Sequence, residues 1–516
     1  MTWHRLVIKD AARQLIWRLI SALFGFLVIK IMTPYLGPLR YGDYSTILKY
    51  FAIRTALADL WLYVLAVREL WAIKEKEPDN KEKLESTYWK FVWTRLIIMW
   101  AIYVIAIVIA YLLPAYTSNP YIIRGLPFWM IFSASFMFAG IQQLPLQLFR
   151  RMDQLSFSLI TARLSQIAIL VPVVYIFFQN VDFNGSSISI LAFCLILFSV
   201  VASAVWQNIE IHLRSKKLLP LHIKFDRKFT KDIIVRNRQY GVSYYLSSFH
   251  TLIVLLFLWR FFPTAWGNDY AWIRALSLSL IEILLIVPSS LGNSLLHKIS
   301  WYTMENKRKS MWNLLILIYR IWWIVAMNFR IFSDWIIKFV AWKEFLWTFG
   351  LMRDRGSNQI LPFLWLVLRG SFIKQVYNYL FVSVDRQNVL LPNNLVWVLI
   401  WVWVWLRAIP KYWLVGWVIT QTLIELLFMV GAIFIARRIK LYPLFEKKRI
   451  FILTAIIAVF TVLAYFADHF LVTNRRNLFA VWLAVNWLLI YISLPYIKKV
   501  ARGLTFDEAA VIVPEE

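Results

Sequence analysis

The chain has 516 residues, of which 61% are hydrophobic, and it carries a formal net charge of +28 at pH 7. Soluble globular proteins contain about 45–50% apolar residues, so this composition argues against one water-soluble core and predicts an all-α polytopic membrane protein. The one cysteine, Cys194, excludes an internal disulfide and any site that needs several cysteine ligands.

About fourteen apolar stretches are long enough to cross a bilayer as helices. In chain order they cover about residues 10–33, 43–70, 88–113, 124–149, 155–178, 187–213, 236–262, 269–297, 310–340, 360–384, 393–409, 413–437, 449–467 and 476–497. An even number of spans places both termini on one side of the membrane. Most lysines and arginines of the connections fall on that side, so the positive-inside rule predicts cytoplasmic termini. The same asymmetry accounts for the net charge without nucleic acid.

A turn separates the first two spans, because Pro34, Gly37 and Pro38 interrupt the helical pattern. This turn has a counterpart later in the chain. Pro38, Tyr41, Gly42, Asp43 and Tyr44 recur in the same order as Pro263, Trp266, Gly267, Asp269 and Tyr270. Each copy opens an apolar helix that contains an arginine, so the chain is predicted to be a transporter built from repeated bundles.

Several arginines lie inside predicted spans, where a charged side chain is costly and usually faces protein or a water-filled cavity. Four are candidate ligands of an anionic substrate: Arg18, Arg54, Arg274 and Arg369. A guanidinium group suits this role because it binds phosphate oxygens through two parallel hydrogen bonds. The alternative for each is a side chain that extends to the interface or pairs with a buried carboxylate. That alternative is favoured for three arginines predicted nearer the cytoplasmic ends of their spans, Arg95, Arg163 and Arg320.

Three acidic residues also lie inside predicted spans: Asp59, Glu282 and Glu425. Such residues can bind a proton or a sodium ion and thereby couple an ion gradient to transport. The alternative is a structural ion pair, with Arg18 as a candidate partner of Asp59. No metal site is expected.

Two further stretches each have two possible interpretations. Residues 216–238 form a long basic connection, interpreted as a solvated linker, with contact to anionic lipid headgroups as the alternative. Trp397, Trp401 and Trp405 recur every four residues and therefore share one helix face. They are interpreted as a lipid-facing or packing ridge, with a sugar-stacking platform as the alternative.

Several short motifs resemble the polysaccharide biosynthesis family, which contains the O-antigen and exopolysaccharide flippases. In the first half these are Tyr35-Leu36-Gly37-Pro38, Tyr41-Gly42 and Ala58-Asp59-Leu60. In the second half they are Asp269-Tyr270-Ala271, Ile286-Val287-Pro288-Ser289-Ser290-Leu291 and Ser300. The strongest is Ile409-Pro410-Lys411-Tyr412-Trp413-Leu414-Val415-Gly416, followed by Thr420, Thr422 and Glu425. Trp413, Trp417 and His297 depart from the family pattern, which affects the predicted packing near those helices.

The family belongs to the multidrug/oligosaccharidyl-lipid/polysaccharide (MOP) superfamily of transporters. The resemblance implies two six-helix lobes around a central cavity that opens alternately to the two sides of the membrane. With the predicted spans, this gives an N-terminal lobe over residues 1–214, a cytoplasmic linker over 215–235 and a C-terminal lobe over 236–440. Residues 441–516 would add two helices and a short cytoplasmic tail.

The resemblance also implies a function. The chain is expected to be a flippase, and not an enzyme, that moves a polyprenyl-diphosphate-linked oligosaccharide from the inner to the outer leaflet of the cytoplasmic membrane. It is expected to act as a monomer, without a cofactor, and to use a gradient of H⁺ or Na⁺, since the sequence lacks a GxxxxGK[ST] nucleotide-binding loop. The alternatives are a peptidoglycan lipid-precursor flippase, a multidrug exporter of the same superfamily and, more remotely, an integral-membrane polysaccharide polymerase or ligase.

Overall fold

The structure is a computed structural model that describes residues 3–59, 62–112, 117–149, 151–177, 188–220, 225–235, 304–331, 364–384 and 389–440, with isolated residues elsewhere. Every long regular element in these ranges is helical, which agrees with the predicted all-α class. In chain order the helices are α1 (Trp3–Asp59), α2 (Leu62–Lys76), α3 (Lys81–Leu112), α4 (Pro120–Leu148), α5 (Met152–Phe177), α6 (Ile190–Ser215), α7 (Met304–Ile331), α8 (Leu364–Ser383) and α9 (Leu390–Arg438).

Seven segments of the described helices are long and apolar enough to cross a membrane. They are Ile20–Gly37, Lys81–Leu112, Pro120–Leu148, Asp153–Phe177, Ile190–Ser215, Leu390–Ala408 and Gly416–Arg438. These segments agree with a polytopic membrane protein. The total of fourteen spans stays a prediction, because much of the second half of the chain lies outside the described residues.

The predicted turn near the N-terminus is a backbone break inside α1. Gly37 has φ 60° and ψ 176°, a conformation that glycine adopts without the steric cost of a side chain. The break separates an apolar segment from a second helical segment that runs to Asp59. The predicted second span, 43–70, therefore comprises the end of α1 and most of α2, with residues 60 and 61 outside the described part.

Helix α9 reverses direction within its length. Its 49 residues would extend about 73 Å if straight, more than twice the ~30 Å of a hydrocarbon core. A Cβ built on Gly431 would lie 2.7 Å from Asn393 Cγ and 2.7 Å from Trp397 Nε1, although a straight helix would separate residues 393 and 431 by about 57 Å. The two membrane segments of α9 therefore lie side by side, and the reversal falls between Ala408 and Gly416, where Pro410 disfavours a straight helix.

The helix pairs with extensive contacts fall into two groups along the chain. In the first, α4 packs against α1, α3 and α6, while α5 packs against α1 and α6. The close approach depends on Gly125 of α4, where an added Cβ would lie 2.5 Å from Ile47 of α1 and 2.9 Å from Leu197 of α6. In the second group, α8 packs against α7 and α9. The domain boundaries drawn from the sequence stay predictions.

The basic connection after α6 is docked on α3, and this differs from the predicted solvated linker. Trp89 donates its indole N–H to the carbonyl of Pro220, at 2.7 Å, and the hydroxyls of Thr94 and Thr230 lie 2.8 Å apart. Leu219 and Ile233 are buried in an apolar cluster with residues of α2, α3 and α4. The sequence did not reveal this contact because the nine apolar residues of 216–238 are interspersed with eight lysines and arginines.

The tryptophan ridge of α9 is a packing ridge. Trp401 and Trp405 are buried, with relative exposures of 0% and 2%, and their ring centroids lie 6.0 Å apart. The lipid-facing side of this helix carries other residues, such as Leu399 and Trp403.

Candidate functional site

Two of the seven residues predicted to bind substrate or couple an ion have described side chains, Arg369 and Glu425. Arg18, Arg54 and Asp59 lie in α1, but their side chains are outside the described part. Arg274 and Glu282 lie outside the described residues altogether. The convergence of the four arginines on one cavity therefore stays a prediction.

Arg369 of α8 is half-buried against the aromatic face of α7. Its guanidinium carbon lies 5.4 Å from the ring centroid of Trp322 and 5.7 Å from that of Tyr319. An aromatic face attracts a cation at these distances without consuming its N–H donors. The buried Nε atom has no hydrogen-bond acceptor within the described ranges. Arg369 is thus held at a fixed place inside the helical layer with a donor available for an anion.

Glu425 of α9 forms a buried ion pair with Lys374 of α8. The Lys374 Nζ lies 2.9 Å from Oε2 and 3.1 Å from Oε1, and the two side chains are 14% and 5% exposed. Lys374 was not singled out from the sequence, although a lysine inside a predicted span is a signal of the same kind as the arginines. This pair is the structural ion pair that was the alternative for Glu425. The predicted role of Glu425 in ion coupling stays a proposal.

The two helices that carry this pair touch through their backbones. A Cβ added to Gly370 of α8 would lie 2.8 Å from the carbonyl carbon, the carbonyl oxygen and the Cβ of Glu425. Lys374 follows Gly370 by one turn, so it reaches Glu425 from the same helix face. Gln421, one turn before Glu425, is 1% exposed, and its Oε1 accepts no hydrogen bond from the described residues. A carboxylate and an ammonium group therefore meet at the α8–α9 contact, and a buried amide oxygen lies one turn away on α9.

Arg163 lies near the middle of its helix. The sequence predicts it nearer the cytoplasmic end of its span, where it would extend to the interface or pair with a buried carboxylate. Helix α5 begins at Met152, which puts Arg163 about 16 Å along the helix and near its midpoint. The side chain is half-buried, donates to Gln166 Oε1 at 2.9 Å and lies within electrostatic range of Tyr44 in α1. Its position at mid-helix makes it an additional candidate for anion binding.

Arg95 of α3 does not snorkel to the interface. The residue is 5% exposed, its Nη2 lies 3.4 Å from the sulfur of Met137, and its guanidinium faces Gly140 of α4. A Cβ on Gly140 would approach Nη2 to 3.3 Å, so the glycine gives room for the guanidinium. Arg95 therefore lies within the α3–α4 contact, and this position indicates a structural role.

The turn at Gly37 is tied to the start of α4 by a polar cluster. Arg40 Nη1 lies 2.9 Å from Asp43 Oδ2, and Asn119 donates to Asp43 Oδ1 at 2.8 Å. Asn119 also caps α4, because its Oδ1 accepts from the backbone N–H of Tyr121 at 3.0 Å. The Arg40 guanidinium lies 3.5 Å from the centroid of the Tyr121 ring. The predicted counterpart of this turn, residues 263–270, is outside the described residues.

Metal ligands do not converge in the described helices, where no group of three His, Cys, Asp or Glu side chains is arranged to hold an ion. Outside the spans, Asp226 has a lowered pKa, because the backbone N–H of Phe229 and the Lys90 ammonium stabilise its carboxylate. The Lys90 contact joins the linker to α3, and the Phe229 contact lies within the linker.

Comparison with known sequences gives one family. The family model described as polysaccharide biosynthesis protein matches residues 7–278. No curated protein matches the chain.

Comparison with solved structures gives the fold. The lipid II flippase MurJ, in an inward closed conformation, is 12% identical with a TM-score of 0.64, and the match covers 94% of this chain and 99% of MurJ. A MOP superfamily transporter from Pyrococcus furiosus, described as having a binding pocket of reverse polarity, is 14% identical with a TM-score of 0.59 over 85% of this chain and 96% of its own. A mutant of the Vibrio cholerae MATE transporter VcmN is 9% identical with a TM-score of 0.59, over 85% and 97%. These likenesses show a fold that is found in transporters and flippases, in agreement with the expectation that the chain is not an enzyme.

Proposed function

Since the chain belongs to the polysaccharide biosynthesis protein family of the MOP superfamily, we propose that it is a flippase for a polyprenyl-diphosphate-linked oligosaccharide. The substrate would move from the inner to the outer leaflet of the cytoplasmic membrane, with both termini of the protein in the cytoplasm. Two six-helix lobes would rock around a central hydrated cavity and expose it alternately to each side. The protein would act as a monomer.

The substrate sets two physical requirements. Its sugar and diphosphate cannot enter hydrocarbon, because polar groups stripped of water without replacement cost several kcal/mol each. A polar groove must therefore receive the head while the lipid tail stays in the bilayer. The diphosphate also needs cationic donors inside that groove, for which guanidinium groups are best suited.

Arg369 is the observation that carries the proposal. It is a cation on a helix buried within the protein, it is oriented by the aromatic side chains of Tyr319 and Trp322, and its Nε lacks an acceptor among the described residues. A structural arginine at such depth normally has a carboxylate partner, as Lys374 has in Glu425. We therefore assign Arg369 to the diphosphate, together with Arg18, Arg54 and Arg274.

Ion coupling is assigned to the buried acids Asp59, Glu282 and Glu425. Of these, Glu425 has a described partner, Lys374. Protonation of Glu425 would remove the attraction between α8 and α9, so an H⁺ gradient could act on their contact. A Na⁺ ion would have to displace the Lys374 ammonium from the same carboxylate oxygens, which favours H⁺ at this position.

A peptidoglycan-precursor flippase is the second candidate. It is favoured by the match to MurJ over 94% of this chain, and its lipid diphosphate would need the same cations. A multidrug exporter fits less well, since cationic drugs would require an acidic cavity. Transport assays with defined lipid diphosphates separate the two flippase functions, because the two substrates differ in the head group carried on the diphosphate.

Alanine substitutions test the arginine assignment in cells that depend on this gene for surface polysaccharide. We expect Arg18→Ala, Arg54→Ala and Arg369→Ala each to reduce polymer output at normal protein levels. Arg407→Ala is the matched control, because Arg407 is exposed and lies over Trp403 at the end of the membrane segment Leu390–Ala408. Unchanged output from all three variants would defeat the assignment.

A further inference from the structure

The docked linker presents a row of exposed cations on one side of a short helix. Residues 227–235 form this helix, and Asp226 caps it by accepting the backbone N–H of Phe229 at 3.0 Å. Arg227, Lys228 and Lys231 are exposed. Lys231 follows Arg227 by four residues and Lys228 by three, so the three cations lie on one side of the helix.

The opposite face of the same helix is fixed on α3. The Phe229 ring packs edge-on against Phe91 with centroids 5.1 Å apart, Thr230 bonds Thr94, and Ile233 is 4% exposed. The Lys90 ammonium lies 2.9 Å from Asp226 Oδ2 at the start of the helix. The cations are therefore held in one orientation by the packing of their neighbours.

The segment also places apolar side chains beside these cations. Phe225 is 53% exposed and Val235 is 51% exposed. Lys216 and Lys217, directly after the membrane segment of α6, add two exposed charges. Cations interspersed with exposed apolar groups at the end of a membrane helix are typical of segments that lie at a headgroup layer.

We propose that this surface, formed by Lys216, Lys217, Phe225, Arg227, Lys228 and Lys231, binds the headgroups of anionic phospholipids. The occupant is a lipid because the surface directly follows a membrane segment and pairs its cations with apolar groups that a soluble anion would not contact. The loop between α2 and α3, which the predicted topology places on the same side of the membrane, differs from this surface in its charge. Its lysines alternate with Glu75, Glu77, Asp79 and Glu82, so its local charge is nearly balanced. The proposal is independent of the transported substrate.

Native mass spectrometry of the full-length protein tests the proposal. The detergent-solubilised protein is mixed with equal amounts of phosphatidylglycerol and phosphatidylcholine that have the same acyl chains. We expect preferential retention of phosphatidylglycerol, weakened at high ionic strength. The triple variant Arg227→Gln, Lys228→Gln, Lys231→Gln should lose most of that preference, since each surface cation contributes about fivefold to binding an anionic surface.

The matched control is the triple variant Lys76→Gln, Lys81→Gln, Lys83→Gln, which removes the same charge from the exposed loop. It should retain the preference, and equal loss in both triple variants would reduce the effect to net charge and overturn the proposal. Complete displacement of phosphatidylglycerol by millimolar inorganic phosphate would also overturn it, because the site would then be one for soluble phosphate. Lys231→Glu, a single change on the same exposed face, repeats the test if the triple variant is poorly folded.

Discussion

Two buried carboxylates of this chain, Asp43 and Glu425, are stabilised in different ways. Asp43 is fully buried, and its partners are Arg40 in the same turn and Asn119 at the capped start of α4. Glu425 is almost as buried, but its described cation, Lys374, belongs to another helix and approaches at the middle of the α8–α9 contact. One acid is held at a turn by two different groups, and the other pairs with a lysine across a helix interface.

The difference indicates different roles. Protonation of Asp43 would leave Asn119 still able to bond its carboxyl group and to cap α4. Protonation of Glu425 would remove the charge that holds Lys374 and would change the free energy of the α8–α9 contact. An acid can couple an ion gradient to movement only if its protonation favours one arrangement of helices over another. We expect Glu425 to meet this condition, because its pair with Lys374 joins two helices, and Asp43 to meet it less well, because Asn119 can still bond its protonated carboxyl group.

Removal of Lys374 should have the largest effect. Lys374→Ala leaves the Glu425 charge buried without its described cation, and we expect a loss of about 3–5 kcal/mol in the free energy of unfolding. Arg40→Ala should cost less, about 1–3 kcal/mol, since Asp43 keeps Asn119. Unfolding in detergent micelles measures both losses, and equal values would remove the distinction between the two acids.

The double variant Lys374→Met, Glu425→Leu is the control for this pair. Apolar residues of similar size often replace a buried ion pair at little cost, so most of the lost stability should return. If the pair couples an ion to movement, transport should stay abolished in this stable variant. Recovery of gradient-driven transport along with stability would mean that the pair is structural only.

Substitution of Gly370 should have the next largest effect on stability. Gly370→Ala would place a Cβ 2.8 Å from backbone atoms of Glu425, which cannot rotate away, and we expect destabilisation of about 1–3 kcal/mol. Gly25→Ala is the matched control, because a Cβ there has no neighbour within 4 Å. It should leave stability unchanged or raise it by up to ~1 kcal/mol. The unfolding midpoints of the two variants give the comparison, and equal shifts would refute the close contact.

Loss of Asn119 should have a moderate effect at the Asp43 cluster. Asn119→Ala removes the N-cap of α4 and one donor to Asp43, with an expected cost of about 0.5–2 kcal/mol. Asn119→Ser keeps a capping oxygen but lacks the amide donor, so it should recover part of that loss. The same unfolding measurement separates the contribution of the N-cap from that of the amide donor to Asp43. Transport per folded molecule should stay normal in both variants.

The smallest expected effect concerns Asp226, a half-exposed acid of the linker. Its folded pKa is below its unfolded value, because the Phe229 N–H and Lys90 stabilise the charged form. Its contribution to the stability of the docked linker is therefore present above the unfolded pKa of about 3.9 and disappears as the pH falls through the folded pKa. Hydrogen exchange of residues 226–235, corrected for intrinsic rates, should be constant between pH 5 and 8 and faster below about pH 4.

Asp226→Asn is the control for that titration. It should show faster exchange of the linker already at neutral pH and no further change on acidification. Slow exchange of the linker in this variant would mean that the apolar contacts at Phe229 and Ile233 hold it without the ion pair.

The sequence predicted those features that depend on local pattern. Long apolar runs indicate membrane helices, and Gly37 and Pro410 lie where α1 breaks and α9 reverses. The short motifs around these two positions also identified the family. Helix ends are less accurately predicted, as the start of α5 at Met152 instead of near residue 155 shows.

Contacts between distant residues could not be predicted in the same way. Neither Lys374 nor Glu425 indicates its partner, because the pairing depends on the packing of α8 against α9 at Gly370. The docking of the linker rests on Trp89 and Thr94, which read as ordinary residues of a membrane helix. Within the predicted site, the structure places Arg369 and Glu425, while the meeting of Arg18, Arg54 and Arg274 stays a prediction.

Leaflet exchange in proteoliposomes tests the central claim most directly. The purified protein is reconstituted with a polyprenyl-diphosphate oligosaccharide, and the fraction of its head exposed on the outer surface is followed over time, with and without a proton gradient. The account predicts exchange faster than in protein-free vesicles, a strong reduction by Arg369→Ala and normal exchange with Arg407→Ala. Exchange no faster than in protein-free vesicles under any gradient, or full exchange with Arg369→Ala, would contradict it.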